Sequence, residues 1–429
     1  MALPRKFGSI AKALSNQSYR NYTIGNICCH LGMWSYRITL QWLTWKLTES
    51  ALWLGVIAAA DLLPTVVLAP LAGALTERVN RLFFMKLAIG FAALQSLCLS
   101  ALCFLELISI WVVFSFTLAL GLILAFNHPI RLVIVPNIVG REVLASAVAI
   151  NSLVFNIARV AGPAIAGGIL AWAGDSLSDA TFGAGMVFTF NWLANGFFVV
   201  MLFLVQIHPE RARGIQALSG SVISDIKAGF IYAFSHPGLG RILFILMVTS
   251  LCGRTFIDLF AAVVDRIFSG GADALGYLMS SVGLGAVCAG FWLAQRGQIT
   301  GLTRIVLLSI LVLAIALVIF AMTDDFGIAV LSVYVAGFSL TVAGTGEQTL
   351  IQAAVDENMR GRVVSLYGAI SRGFPSLGAI IMGGLGDLLG LRWPLLAGAG
   401  VCLILWLWAW KQRAVLQRGL ETAPDAIKE

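Results

Sequence analysis

Residues 302–322 read LTRIVLLSILVLAIALVIFAM, a run whose single charge, Arg304, sits near one end. A helix that crosses a bilayer needs about 20 mostly apolar residues, because its backbone groups find no water there to bond. Similar stretches lie near 22–46, 52–76, 83–105, 109–130, 143–172, 182–207, 239–264, 274–294, 327–352, 363–388 and 393–411. The first, fifth and eleventh in chain order are the more polar. The whole chain agrees: of 429 residues 59% are hydrophobic and 11% charged, with mean hydropathy +0.92. Soluble domains run near a quarter charged, so an ordinary soluble enzyme is excluded, as are disordered and disulfide-scaffold chains. Met1–Arg20 is basic without an apolar core, so no cleavable signal peptide is expected. The expected fold is an all-α membrane protein of 12 transmembrane helices in two six-helix bundles.

Charge sets the orientation. Of the 28 Lys and Arg, 21 fall on the side of the termini, 3 on the opposite side (Lys46, Arg266, Arg392) and 4 inside spans (Arg37, Arg159, Arg254, Arg372). The excess of positive charge on cytoplasmic loops places both termini in the cytoplasm. The net charge of +7 is therefore an asymmetry across a membrane and not a nucleic-acid surface. The 7 cysteines lie in apolar segments without a C-x-x-C and read as small buried hydrophobes.

The chain divides into similar halves. Residues 1–207 form one six-helix bundle, 208–238 a cytoplasmic linker, 239–412 the second bundle and 413–429 a cytoplasmic tail. Within the linker Ile215, Leu218, Val222, Ile226 and Phe230 share one helical face, which suits a helix lying along the membrane surface or packed on protein. Each half carries an arginine in its first span (Arg37, Arg254) and another in its fifth (Arg159, Arg372). Each fifth span continues into a proline and a glycine pair, Pro163 with Gly167-Gly168 and Pro375 with Gly383-Gly384. Parallel repeats of this kind are common among secondary transporters.

Four stretches carry a family resemblance. Gly73-Ala-Leu-Thr-Glu77-Arg78-Val-Asn-Arg81 resembles the major facilitator signature G-x-L-x-D-R-x-x-R, with Glu77 in place of the aspartate. Gly162-Pro163-x-x-x-Gly167-Gly168 is similar to the antiporter signature G-P-x-x-x-G-G. Leu31-Gly-x-Trp34 through Leu47-Thr-x-Ser50, and Gln352 through Arg360-Gly-Arg362, resemble the branch that holds macrolide-efflux proteins and the enterobactin exporter, as does Asn156-x-Ala-Arg159-x-x-Gly-Pro leading into the antiporter-like stretch. The resemblance covers nearly the whole chain. It implies alternating access around a midplane cavity, export driven by protons, a cytoplasmic gate at Gly73, Glu77, Arg78 and Arg81, and a monomer. It also implies that the first, fifth and eleventh spans line the cavity.

An ionisable side chain kept inside a span costs about 3 kcal/mol or more in lipid, so each must face protein or water. Asn26, His30, Arg37 and Gln41 fall on one arc of the first span, Ser152, Asn156 and Arg159 on one of the fifth, and Ser365, Arg372 and Ser376 on one of the eleventh. Such stripes suit a water-filled cavity wall or an interhelical hydrogen-bond seam. Asn26, His30, Trp34, Arg37, Asn156, Arg159, Arg254 and Arg372 are the candidate substrate contacts. Depth along the helices, at 1.5 Å per residue, pairs Arg37 with Asp61 at roughly 25 Å and Glu347 with Arg372 at roughly 12–15 Å from the cytoplasmic side. Arg254 and Asp258 are one turn apart and can pair directly. Arg159 is left to meet an anionic group of the substrate. Asp61, Asp258 and Glu347 are the candidate proton carriers, because a carboxylate in an apolar pocket holds a proton more readily. Gly162, Pro163, Gly167 and Gly168 permit close packing and a bend. Trp406, Trp408 and Trp410 read as an interfacial anchor, and His128 with Arg131 as the interfacial end of the fourth span.

No hydrolase or Walker pattern occurs, so ATP-driven or enzymatic chemistry has no visible support. Two unequal halves offer no symmetric pore ring. The residues favour a multi-pass protein of the bacterial inner membrane, with a small molecule and the lipid bilayer as its partners. It would export a medium-sized amphipathic or anionic compound of drug or siderophore type, using the proton gradient and no cofactor or metal. An uptake carrier, a metal-ion or lysolipid carrier, and a non-transporting facilitator relative remain open alternatives.

Overall fold

The computed structural model describes residues 11–76, 80–140, 142–206 and 222–421, and they form helices joined by short turns. In chain order these are α1 (Gln17–Thr48), α2 (Ala51–Thr76), α3 (Arg81–Phe104), α4 (Ile110–Ile138), α5 (Leu144–Ala173), α6 (Leu177–Phe203), α7 (Val222–Ser235) and α8 (Leu239–Val248). There follow α9 (Phe260–Arg266), α10 (Ala272–Arg296), α11 (Leu302–Met322), α12 (Phe326–Ala354), α13 (Glu357–Leu389), α14 (Arg392–Lys411) and α15 (Arg413–Glu421). Among the described residues ten helical segments, with α8 through α9 taken as one, are long and apolar enough to cross a membrane. The long helices α1 and α13 do not reach that apolarity, because they carry the polar stripes that the sequence singled out.

The helices gather into two compact units. One comprises Met1–Thr48, Val67–Leu218 and Gly271–Gly276, and the other Glu49–Val66, Ser219–Gly270 and Tyr277–Glu429.

In the first unit α1 is the central helix, packed against α4, α5 and α6. Two glycines allow backbones to meet there. A Cβ on Gly32 would stand 2.6 Å from Asn191 Oδ1 of α6, and one on Gly162 of α5 would stand 2.5 Å from the Cβ of Trp34. Small residues at helix contacts let dispersion and buried hydrogen bonds hold a bundle that lipid does not drive together. The bonds are present: Asn191 Nδ2 donates to Ser96 Oγ at 2.7 Å, Gln95 Nε2 to Tyr36 OH at 2.8 Å, and Ser35 Oγ to the Gly162 carbonyl at 2.9 Å. The Asn–Ser–Gln–Tyr contacts form the seam that joins α1, α3 and α6. The stripe of Asn26, His30 and Trp34 lies on another side of α1, toward α4 and α5.

In the second unit the first span is not one continuous α-helix. After α8, residues Thr249–Gly253 form a π-turn, Thr255–Leu259 a 3-10 turn, and α9 resumes at Phe260. Tertiary packing accommodates the bulge. A Cβ on Gly378 of α13 would collide with the Leu251 carbonyl, and one on Gly398 of α14 would stand 2.7 Å from the Cys252 carbonyl oxygen. Carbonyls pushed outward by the wide turn thus fit only against glycine. π-Turns inside helices recur at functional positions, and this one ends at Arg254. The α-helical spacing assumed for Arg254 and Asp258 is therefore not the geometry found.

The start of α2 belongs to this second unit and is capped from α13. Asp387 Oδ1 accepts from Ala51 N at 2.8 Å, and Oδ2 accepts from Leu52 N at 3.0 Å and Ser50 Oγ at 2.6 Å. A carboxylate suits the positive end of a helix. Of the linker, the described part is α7, which buries Ala233 and leaves Phe230, Ile231 and Phe234 exposed. Ile215 and Leu218 lie outside the described residues.

Candidate substrate and proton sites

The first unit places most of the predicted substrate contacts together. Trp34 is the hinge of the arrangement. The guanidinium carbons of Arg37 on its own helix and Arg159 on α5 each lie 5.7 Å from its ring centroid. Phe155, one turn before Arg159, meets Trp34 edge-on at 5.7 Å and His30 edge-on at 5.5 Å. Aromatic faces attract guanidinium groups, with about 0.5–1 kcal/mol per contact where exposed and about 2 where desolvated. That is how two like charges are held near one ring inside an apolar bundle. Arg159, expected to await a ligand, is thus already seated, and the same seat holds Arg37.

One and two turns toward the start of α1 the stripe continues. His30 is 7% exposed with Nδ1 bonded to nothing among the described residues, and the Nδ2 of buried Asn26 donates to Asn151 Oδ1 of α5 at 2.8 Å. Asn156 turns away from this group, since its Nδ2 donates to the Ser152 carbonyl at 2.8 Å on its own helix. Gly162, in van der Waals contact with α1, fixes the height of Trp34 relative to Arg159. Pro163 sits inside α5 without ending it. Gly167 comes close to Gly276, where an added Cβ would lie 3.0 Å from its Cα, whereas Gly168 has open space beside it.

Arg131 corrects the reading of the fourth span. That span does not end at residue 130: α4 runs to Ile138 and carries Arg131 inside it. Its Nη1 donates to Asn26 Oδ1 at 3.4 Å and its Nη2 to Cys29 Sγ at 3.1 Å. Arg131, Asn127, Asn151 and Phe155 are the members of the site that the sequence reading did not select. Their signal was a helical one: Asn127 and Arg131 are spaced by one turn.

The second unit holds the acidic candidates. Glu347 on α12 is 1% exposed, and its Oε1 has no hydrogen-bond partner among the described residues. Among the described residues no ion pair joins it to Arg372. The hydroxyl of Tyr367 on α13 donates to the Gly344 carbonyl at 3.1 Å, and this side chain stands within electrostatic reach of Glu347, Arg254 and Arg372. Arg254 is exposed at the helix break, Arg372 is half-buried, and the two guanidinium groups act on each other. Asp61 and Asp258 are half-buried in the same unit. Of the expected gate, Gly73 lies in α2 and Arg81 opens α3, while Glu77 and Arg78 lie outside the described residues. Near the end of the chain Trp406 and Trp410 lie 5.8 Å apart, and the Arg413 guanidinium lies 5.2 Å from the Trp410 ring.

Apolar spanning helices, charges held inside them and a cluster of arginines on aromatic rings define a membrane transporter and not an enzyme. Residues 9–422 match the family described as transmembrane secretion effector, and the chain belongs to that family of major facilitator transporters. It is a multi-pass membrane protein. Among similar proteins, the staphyloferrin A transporter of Staphylococcus aureus is 26% identical over 372 residues, which cover 84% of this chain and 87% of that one. The enterobactin exporter of Shigella flexneri is 26% identical over 325 residues, covering 74% and 72%. Among solved structures, a bacterial homolog of the human lysosomal transporter Spinster matches with TM-score 0.72 at 14% identity, over 94% of this chain and 98% of that one. The nucleoside transporter NupG matches with TM-score 0.71 at 13% identity, over 92% and 98%. These two likenesses concern the fold.

Proposed function

We propose that the protein exports an anionic, siderophore-type small molecule by alternating access, driven by the proton gradient. In this reading it is a monomer of twelve spans in two six-helix bundles, with both termini in the cytoplasm of a bacterial cell and the chain in its inner membrane. The carrying observation is the pair of guanidinium groups, Arg37 and Arg159, on the single Trp34 ring. Two cations beside an aromatic face attract a ligand that brings negative oxygens and a flat or apolar body. The relatives named for staphyloferrin A and enterobactin support the same class.

Glu347 is the proton carrier of this reading. Its carboxyl group is buried inside a span, with Oε1 unbonded among the described residues, where an incoming proton could be held. Its proton would enter from outside and leave to the cytoplasm as substrate moves the other way. Asp61 and Asp258 are the further candidates. The test is accumulation of a panel of siderophores, dyes, macrolides, lysolipids and metal ions in cells with and without the protein, before and after a protonophore. Lower accumulation of a siderophore that recovers with protonophore is expected. Higher accumulation abolished by protonophore would reverse the direction, and no difference for any anionic compound would remove the substrate class.

A further inference from the structure

Two turns from Trp34 along α1, at the level of Asn26, stands a third arginine of this unit, Arg131. Arg131 carries five N–H donors, yet among the described residues its hydrogen bonds go to a neutral amide and a thiol, neither of which carries the charge that a guanidinium prefers. No carboxylate pairs with it among the described residues, and Phe198 flanks it with its ring 5.7 Å away. One turn before it on α4 is Asn127, which is fully buried with both amide atoms, Nδ2 and Oδ1, unbonded among the described residues. Buried polar groups are almost always satisfied, so an unbonded buried amide asks for a partner.

The helix directions bring these groups to one place. Asn16, the residue before α1, donates to the Ile138 carbonyl at 3.4 Å and Asn26 accepts from Arg131, so α1 and α4 run antiparallel. Moving one turn along α1 from Asn26 reaches His30; moving one turn back along α4 from Arg131 reaches Asn127. His30 lies within electrostatic reach of Arg131, and its Nδ1 is the third unbonded buried atom of the layer.

Resting on the reading of this unit as a substrate site, we infer that Arg131, Asn127 and His30 form a second seat for a carboxylate of the transported molecule. From the level of Asn26 to that of Trp34 is eight residues of α1, or about 12 Å. The ligand class is therefore a dianion with carboxylates about 12 Å apart, one on Arg131 and one on the Arg37–Arg159 pair. Between them its body passes His30 and Phe155, which offer ring surface. A single anionic group would leave one end of the surface unused.

The probes are decanedioate, whose carboxylates span about that distance when extended, and decanoate, its one-ended counterpart. Binding of each to the purified full-length protein in nanodiscs is measured by calorimetry, for wild type, Arg131→Gln, Asn127→Leu and Arg159→Gln. The wild type should favour the diacid by about tenfold or more, since each charge-assisted contact contributes that much. Arg131→Gln should erase the preference, bringing diacid affinity down to that of decanoate. Asn127→Leu should weaken diacid binding while melting no lower than the wild type, because it removes a buried amide that has no partner among the described residues. A structural role for Asn127 would show the reverse, a lower melting temperature with the preference kept, and would overturn the seat. So would an unchanged preference in Arg131→Gln, even where Arg159→Gln abolishes binding and the Trp34 site stands. Failure of the wild type to bind either acid would overturn both sites together.

Discussion

Gly162→Ala tests how packing sets the site. The added methyl would stand 2.5 Å from the Cβ of Trp34 and 3.1 Å from both the Leu31 carbonyl oxygen and the Ser35 nitrogen. Two of those three contacts are backbone, so side-chain rotation does not relieve them and α1 must move away from α5. Overpacking of this kind costs about 1–3 kcal/mol. In a unit of this size each kcal/mol lowers the melting temperature by about 2–4 °C. The displacement also carries Trp34 away from Arg159, which would loosen a contact of about 1–2 kcal/mol and reduce substrate affinity by roughly tenfold. Gly168→Ala is the internal control, because a Cβ there meets nothing within 4 Å. Melting of purified protein and efflux from cells are measured side by side for the two variants. If Gly162→Ala melts and transports like Gly168→Ala, the account of this contact is wrong.

Three further outcomes follow from other sites. Glu347→Gln should abolish protonophore-sensitive efflux while keeping substrate binding, and Glu347→Leu, which removes an unbonded buried oxygen, should raise stability by about 1–3 kcal/mol in thermal melts. His236 Nδ1 accepts from Gly238 N at 3.2 Å and Leu239 N at 3.3 Å, and burial lowers its pKa below the usual 6.5, so its neutral form is the folded one. Because the folded pKa is the lower, the stability it contributes is complete above about pH 6.5 and falls as the pH drops through the folded value. Melting temperatures of the wild type should decline from about pH 7 to about pH 5 more steeply than those of His236→Asn. Asp387→Ala should lose the cap on α2 at a cost of about 0.5–2 kcal/mol, read as a lower melting temperature, whereas a melt equal to the wild type would show the cap to be idle.

The fold was legible because apolar length is written residue by residue, as 302–322 shows, and α1 and α13 were legible through the period of their polar residues. The Trp34 cluster was half legible. Arg37 and Arg159 stood out as charges in apolar spans, but their sharing of one ring depends on the approach of α5 at Gly162, a tertiary distance. Arg131 was lost for a different reason. Pro129 and the polar residues around it resemble a span end, while the helix in fact continues for seven residues beyond Arg131 to Ile138. The π-turn before Arg254 left no local signature either, since Gly378 and Gly398, far along the chain, make room for its carbonyls. Glu347 and Arg372 lie at similar depth along their helices, but depth along an axis does not fix the direction in which a side chain leaves its helix.

The central claim is that the arginines on Trp34 select a negatively charged substrate. Its most direct test is uptake into inside-out membrane vesicles, energised by a proton gradient, of a carboxylate siderophore and of its neutral methyl ester. The account predicts that wild-type vesicles accumulate the acid and not the ester, and that Arg159→Gln vesicles accumulate neither. Equal accumulation of acid and ester, or full accumulation of the acid by Arg159→Gln, would contradict it.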